Sequence, residues 1–143
     1  MANLANNEIT GTFLEWLGDS WNNLKYLLLD KNRLEGTLPA SMGNMMNLHE
    51  LVLTHNKLAG TIPAQLNQLT ALRVLKLALN GFEGVIPNLE ALAPSLEHIN
   101  LYSNSLTGPI PAQLFGLTNL GKSFKQCCSQ TALHCQYLTL NCD

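Results

Sequence analysis

The chain has 143 residues, a length that fits one domain. Thirty residues are leucine, while Asp, Glu, Lys and Arg together make up only 13%, well below the globular norm of about 25%, and this composition excludes a disordered chain. The net charge is −2 and the charged residues are scattered singly along the chain, so nucleic acid is not an expected partner. Every run of apolar residues is shorter than the roughly 18 that a membrane-spanning helix needs, so we expect no membrane insertion by this segment.

An asparagine recurs every 24 residues through most of the chain, at Asn32, Asn56, Asn80 and Asn104. Leucine or isoleucine stands eight, five and three positions before each, an apolar residue two positions after, a glycine four positions after, and then a Leu-Pro or Ile-Pro pair. A partial earlier copy contains Asn7. Since strand side chains alternate between two faces, the apolar residues five and three positions before each asparagine point to one side. No single copy can bury its own apolar face, so the copies are expected to stack.

The frame LxxLxLxxNxLxGxIPxxLxxLxx resembles the plant-type leucine-rich repeat, over about residues 2–120. The resemblance implies an α/β solenoid: a right-handed superhelix with a parallel β-sheet on its concave face and short helical or 3-10 turns on its convex face. We expect 1–120 to contain a partial first repeat and four 24-residue repeats, and 121–143 to form a cysteine-containing C-terminal cap. In the third full copy the apolar pair of the return segment, Leu89 and Leu92, comes one residue early, which predicts a local distortion of the convex side.

The recurring asparagines are expected to be structural. A side-chain amide can satisfy buried backbone groups where the chain turns away from a strand, and stacking the copies would make a ladder of such bonds. The recurring glycine is expected where backbones approach closely or φ is positive, and the proline where further strand pairing stops. The predicted ladder consists of Asn7, Asn32, Asn56, Asn80 and Asn104.

The outward positions of the predicted strands are the part of the frame that does not repeat. They have an apolar middle, tyrosines of the kind common in binding hot spots, and charges around the edges. The resemblance implies that a protein or peptide ligand binds here; the alternative is a solvated sheet face without a partner. The candidate residues are Tyr26, Leu28, Asp30, Glu50, Val52, Thr54, Val74, Lys76, Ala78, His98, Asn100 and Tyr102.

We expect no catalytic residues, no metal and no cofactor. The chain lacks the common motifs of serine hydrolases, zinc proteases and phosphate-binding loops, and it has no closely spaced pair of carboxylates. His49 and His55 lie six residues apart on one predicted strand, about 20 Å by strand rise, which is too far to share a metal or a proton.

The four cysteines all lie in the C-terminal tail, at Cys127, Cys128, Cys135 and Cys142. Residues 135–143 resume the repeat pattern and are expected to form a last strand. Four cysteines permit three pairings; a bond between the adjacent Cys127 and Cys128 would be strained, which favours pairing each with Cys135 or Cys142. The tail resembles the disulfide-bonded caps of extracellular plant-type repeats. A zinc site that includes His134 and a set of four free thiols are the alternatives.

The indications of cellular location conflict. The clustered cysteines and the plant-type repeat favour an extracellular or cell-surface protein, whereas the N-terminal sequence lacks a signal peptide, which favours the cytoplasm if Met1 is the true start. Because Leu4 stands in the third leucine position of a repeat, we expect the chain to be a fragment or shortened product of a longer protein. Two functions follow: a recognition module of a receptor-like or inhibitor-like protein, or an intracellular or cytoskeletal scaffold.

Overall fold

A computed structural model describes residues 1–112 and 114, which form a solenoid with two parallel sheets of five strands each along its length. In each sheet, neighbouring strands come from consecutive repeats. The first sheet consists of β1 (Ala2–Asn3), β3 (Tyr26–Leu28), β5 (Glu50–Val52), β7 (Val74–Lys76) and β9 (His98–Asn100). The second consists of β2 (Thr10–Thr12), β4 (Arg33–Gly36), β6 (Lys57–Thr61), β8 (Gly81–Val85) and β10 (Ser105–Thr107).

Short helical segments return the chain from the second sheet to the first. They are the helix α1 (Leu17–Ser20) and the 3-10 turns Ala40–Asn44, Ala64–Gln68 and Glu90–Leu92. The last turn has three residues instead of five, in the repeat whose return segment is shifted. The predicted leucine-rich-repeat solenoid is therefore confirmed. Among the described residues, no helix has the length and apolar character needed to cross a membrane.

The second sheet is a feature that the sequence pattern did not predict. In the first sheet equivalent repeat positions face each other, as in the pair Leu27 and Leu51. In the second sheet the strands from β4 to β10 are staggered by two residues, so that Thr61 faces Glu83. Its three central strands, β4, β6 and β8, each contain one buried apolar residue among mostly exposed positions, such as Leu58 in β6. They consequently lack the apolar alternation that made the first sheet visible in the sequence.

The leucine frame forms one continuous core. The second and third apolar positions of each full repeat are buried, and so are the paired residues of the return segments, including Met42 and Met45. At the N-terminal edge the packing is incomplete, because Leu4 occupies its predicted position beside β3 but stays exposed. The predicted cap, 121–143, lies outside the described residues together with Cys127, Cys128, Cys135, Cys142 and His134.

Four of the asparagines connect neighbouring repeats through their side chains. Asn56, for example, accepts a hydrogen bond from the Leu34 N–H at 3.0 Å, and its amide donates to the carbonyl oxygens of Leu29 and Leu53. Asn32, Asn80 and Asn104 make the same pattern of bonds. Asn7 differs, since it is exposed and donates only to Leu4 and Ala5 of its own loop.

Candidate binding surface

The exposed side of the first sheet, called the concave face below, presents three columns of side chains that run across the strands. The first column holds Tyr26, Glu50, Val74 and His98, and the middle one Leu28, Val52, Lys76 and Asn100. The third column, just beyond the strands, holds Asp30, Thr54, Ala78 and Tyr102. Backbone hydrogen bonds align it, such as the one that the Leu79 N–H donates to the Tyr102 carbonyl oxygen. The backbone thus brings the predicted candidates together on one surface.

Ala78 differs from the sequence-based expectation of an accessible side chain. Eleven of the twelve candidates are partly exposed, but Ala78 is only 1% exposed. It has the shortest side chain of its column and lies between Thr54 and Tyr102, so its neighbours cover it. Ala78 therefore belongs to the floor of the concave face and does not present a surface of its own.

A shallow cavity of about 330 Å³ opens at the centre of the concave face. Val52 supplies apolar wall, Ile99 is a core residue of β9, and the remaining lining is polar or charged. Thr54 Oγ1 and His98 Nδ1 are buried and have no hydrogen-bond partner among the described residues. Both atoms belong to residues that line the cavity, so water or a ligand in the cavity can supply their hydrogen bonds. The lining residues are Asp30, Val52, Thr54, Lys76, His98, Ile99 and Asn100.

Two charged groups in this cavity remain without an ion-pair partner. Asp30 and Lys76 both line it, yet neither forms a salt bridge with any described residue. The two ion pairs found within 1–112 and 114 lie elsewhere. One joins Arg33 to Glu8 and the other Arg73 to Glu97, and both are solvent-exposed.

The edge of the concave face before the strands is more tightly organised. Arg73 Nε donates to Glu97 Oε1 at 2.8 Å, and this hydrogen bond, together with the negative charge of Glu97, raises the pKa of Arg73 above its ordinary value. Next to this pair the rings of Tyr26 and His49 lie 6.0 Å apart between their centroids. His49 Nδ1 is 2.7 Å from the Asn47 carbonyl oxygen, which fixes the orientation of the imidazole. Tyr26 is consequently held in place by a neighbouring ring.

A second groove, of about 640 Å³, lies where the second sheet meets the 3-10 turns, and sequence reasoning missed it. Its residues come from the Gly-x-Leu-Pro and Gly-x-Ile-Pro segments, whose regular spacing predicts only a structural role. The sequence contains one signal for this groove. Thr61 and Val85, both exposed, directly follow the recurring glycine, at a position that varies between repeats. The lining residues are Thr37, Leu38, Ala40, Thr61, Ile62, Pro63, Ala64, Gln65, Val85, Pro87 and Asn88.

Neither region has the geometry of a metal site. Within residues 1–112 and 114, no group of three or more His, Cys, Asp or Glu side chains is placed to hold a metal ion. The predicted concave residues form a surface of mixed polarity.

Comparisons with known proteins agree with this architecture. The family model described as Leucine Rich Repeat matches residues 23–45, 47–69 and 95–117. The matched segments lie on either side of the repeat whose return segment is shifted. No curated protein matches the chain significantly.

Solved structures similar to the chain include plant receptor ectodomains. The plant peptide hormone receptor RGFR1 in complex with RGF2 is 33% identical, with a TM-score of 0.76 over 82% of this chain and 19% of that one. The Arabidopsis receptor kinase HAESA, in complex with the peptide hormone IDA and the co-receptor SERK1, is 39% identical, with a TM-score of 0.75 over 81% and 20%. The ectodomain of the Arabidopsis receptor kinase SOBIR1 is 30% identical, with a TM-score of 0.77 over 82% and 64%.

The chain thus spans about a fifth of the two hormone receptors and less than two thirds of the SOBIR1 ectodomain. The 24-residue frame, the stacked parallel strands, the asparagine bonds between repeats, the family model and these structures all agree. The chain contains leucine-rich repeats, and these are of the plant type.

Proposed function

We propose that the chain is a non-enzymatic recognition module that binds a protein or peptide ligand on its concave face, within a receptor-like or inhibitor-like protein outside the cell. The observation that carries the proposal is the central cavity of that face, where unpaired charges and unpaired buried polar atoms adjoin apolar side chains. The HAESA and RGFR1 structures, which contain bound peptide hormones or a co-receptor, support a ligand of this class.

The concave face is preorganised for binding. Every strand of this face is fixed by hydrogen bonds to its neighbours, and the asparagine bonds fix the turn that follows each strand. The backbone therefore loses little conformational freedom when a ligand binds, which lowers the entropic cost of association. Tyr26 and Tyr102 supply aromatic surface at opposite ends of the face, and aromatic side chains are frequent hot spots.

The experiment uses peptides selected for binding from a displayed library of random 16-residue sequences. We expect the Tyr26→Ala and Tyr102→Ala variants each to lose about tenfold or more in affinity for selected peptides, as hot-spot residues do. Trp16→Ala is the matched control, because Trp16 is an aromatic residue 56% exposed outside the concave face. Unchanged affinity in both tyrosine variants, with folding verified by circular dichroism, would refute the assignment of the concave face.

The alternative is an intracellular scaffold without a signalling role, and the tail cysteines distinguish it. An extracellular recognition module is expected to have no reactive thiols in the native chain, because the cysteines would be paired. A scaffold in the cytoplasm is expected to have four. A thiol titration of the native full-length chain, compared with the same chain after unfolding and reduction, separates the two proposals.

A further inference from the structure

The concave face is not electrically uniform. In the central cavity Asp30 belongs to the third column next to β3, whereas Lys76 is in the middle column on β7. Two strand spacings of about 4.8 Å and an offset of two residues along the strand place their Cα atoms about 12 Å apart. The cavity thus has an acidic side and a basic side, and neither charge is compensated within the described residues.

The other charged groups of this region lie outside the cavity lining. Beside Lys76 in the middle column are Val52 and Asn100, which carry no charge. Glu50 lies diagonally from Lys76, in the first column, and does not line the cavity. Lys31 follows Asp30 in the chain but forms no salt bridge with it, and it lies on the exposed turn outside the sheet. Asp30 and Lys76 are therefore the charges that a ligand in the cavity would meet.

We propose that the ligand is an extended peptide segment carrying one basic and one acidic side chain about 12 Å apart, the basic one on Asp30 and the acidic one on Lys76. Because side chains of an extended chain alternate between two faces, the two charges must be an even number of residues apart, and four residues, about 13 Å, match the distance. The apolar surface of Val52 between the two charges suits an apolar residue between the charged ones. The inference rests on the proposed function and adds to it the chemistry of the ligand.

Electrostatic complementarity of this kind selects among ligands more than it strengthens binding overall. A peptide with the same two charges exchanged in space would place like charges together at both ends, which is unfavourable. A neutral peptide would leave both protein charges partly desolvated and unpaired. The structure thus predicts selectivity for the pattern of charges, and increasing salt should weaken that selectivity because the cavity is open to solvent.

The test uses the same displayed library and the full-length chain. Peptides enriched on the wild-type chain should contain a Lys or Arg and an Asp or Glu about four residues apart more often than the input library does. One enriched peptide is then changed in two separate ways. Replacing its basic residue with Gln, and replacing its acidic residue with Gln, should each reduce the affinity by about three- to tenfold at low salt. Asp30→Asn should remove the effect of the first replacement only, and Lys76→Met the effect of the second only.

Two exposed residues of the second sheet give matched controls. Glu35→Gln and Lys57→Met make the same changes of charge outside the concave face, and they should leave both selectivities intact. Enriched peptides that lack the pair of charges, or that bind the Asp30 and Lys76 variants as they bind the controls, would overturn the inference alone. The proposed function would be overturned as well if the peptides bound the Tyr26→Ala and Tyr102→Ala variants with unchanged affinity, or if the library gave no binder.

Discussion

The side-chain amide of Asn80 donates a 2.9 Å hydrogen bond to the carbonyl oxygen of Leu53, one repeat earlier in the chain. The same amide donates to its own repeat, and its Oδ1 accepts from the Leu58 N–H. One uncharged side chain thereby satisfies backbone groups of two neighbouring repeats, and because the bond is repeated along the solenoid, it keeps the strands of the concave face in register.

Replacement of a bridging asparagine should destabilise the fold strongly. Asn80→Ala leaves the Leu58 N–H without its partner and removes one of the two amide bonds that the Leu53 carbonyl accepts. An unsatisfied buried group costs about 1–3 kcal/mol and a lost hydrogen bond about 1 kcal/mol, so we expect a loss of about 2–4 kcal/mol in the free energy of unfolding. Urea unfolding followed by circular dichroism measures it. Asn7→Ala is the control, because Asn7 bonds only to its own loop, and its expected loss is below about 1 kcal/mol. Equal losses would contradict the role of the bonds between repeats.

The glycine four positions after each asparagine has a steric as well as a conformational role. Gly60 has φ +73°, and a Cβ added there would lie 2.8 Å from the Thr37 methyl carbon of the preceding repeat. Gly60→Ala should therefore lower the unfolding free energy by about 2–3 kcal/mol, from the positive φ and the clash together.

Two further variants separate these contributions. Gly11→Ala meets no atom within 4 Å, although Gly11 also has a positive φ, so it should show only the conformational contribution, about 1–2 kcal/mol. Thr37→Ser removes the clashing methyl and should recover some of the Gly60→Ala loss in a double-mutant cycle. Additive losses would contradict the proposed contact.

Leu79 occupies a backbone conformation that suits another residue type. It has φ +55° at the turn before Asn80 and is 41% exposed. Asn tolerates this conformation better than Leu, so Leu79→Asn should raise the unfolding free energy by about 0.5–1 kcal/mol. Leu79→Val should lower it, since β-branched residues are genuine outliers there. Thermal unfolding of the two variants should shift in opposite directions, and a shared direction would count against strain at this turn.

The sequence predicted the first sheet in detail because its leucines alternate with variable residues and recur in one frame. The same reasoning predicts the return turns. It includes the irregular turn at Leu89 and Leu92, which is indicated only by the one-residue shift of this apolar pair in the frame. It missed the second sheet, since those strands are paired between staggered repeats and bury at most one apolar side chain each.

The concave face could be predicted as a set of positions but not as a shape. Alternation predicts Ala78 on the face, whereas the structure shows that its short side chain is only 1% exposed. The central cavity likewise depends on side-chain lengths in several repeats, from Asp30 to His98, and such long-range relationships leave no local pattern in the sequence.

The valines offer the most direct test of binding on the concave face. The chain contains three: Val52 and Val74 on the concave face, and Val85, which is 59% exposed on the second sheet. In a chain with 13C-labelled valine methyl groups, titration with a library-selected peptide should shift the Val52 and Val74 resonances and leave those of Val85 in place. Shifts confined to Val85 would contradict binding on the concave face and place the binding surface on the second sheet.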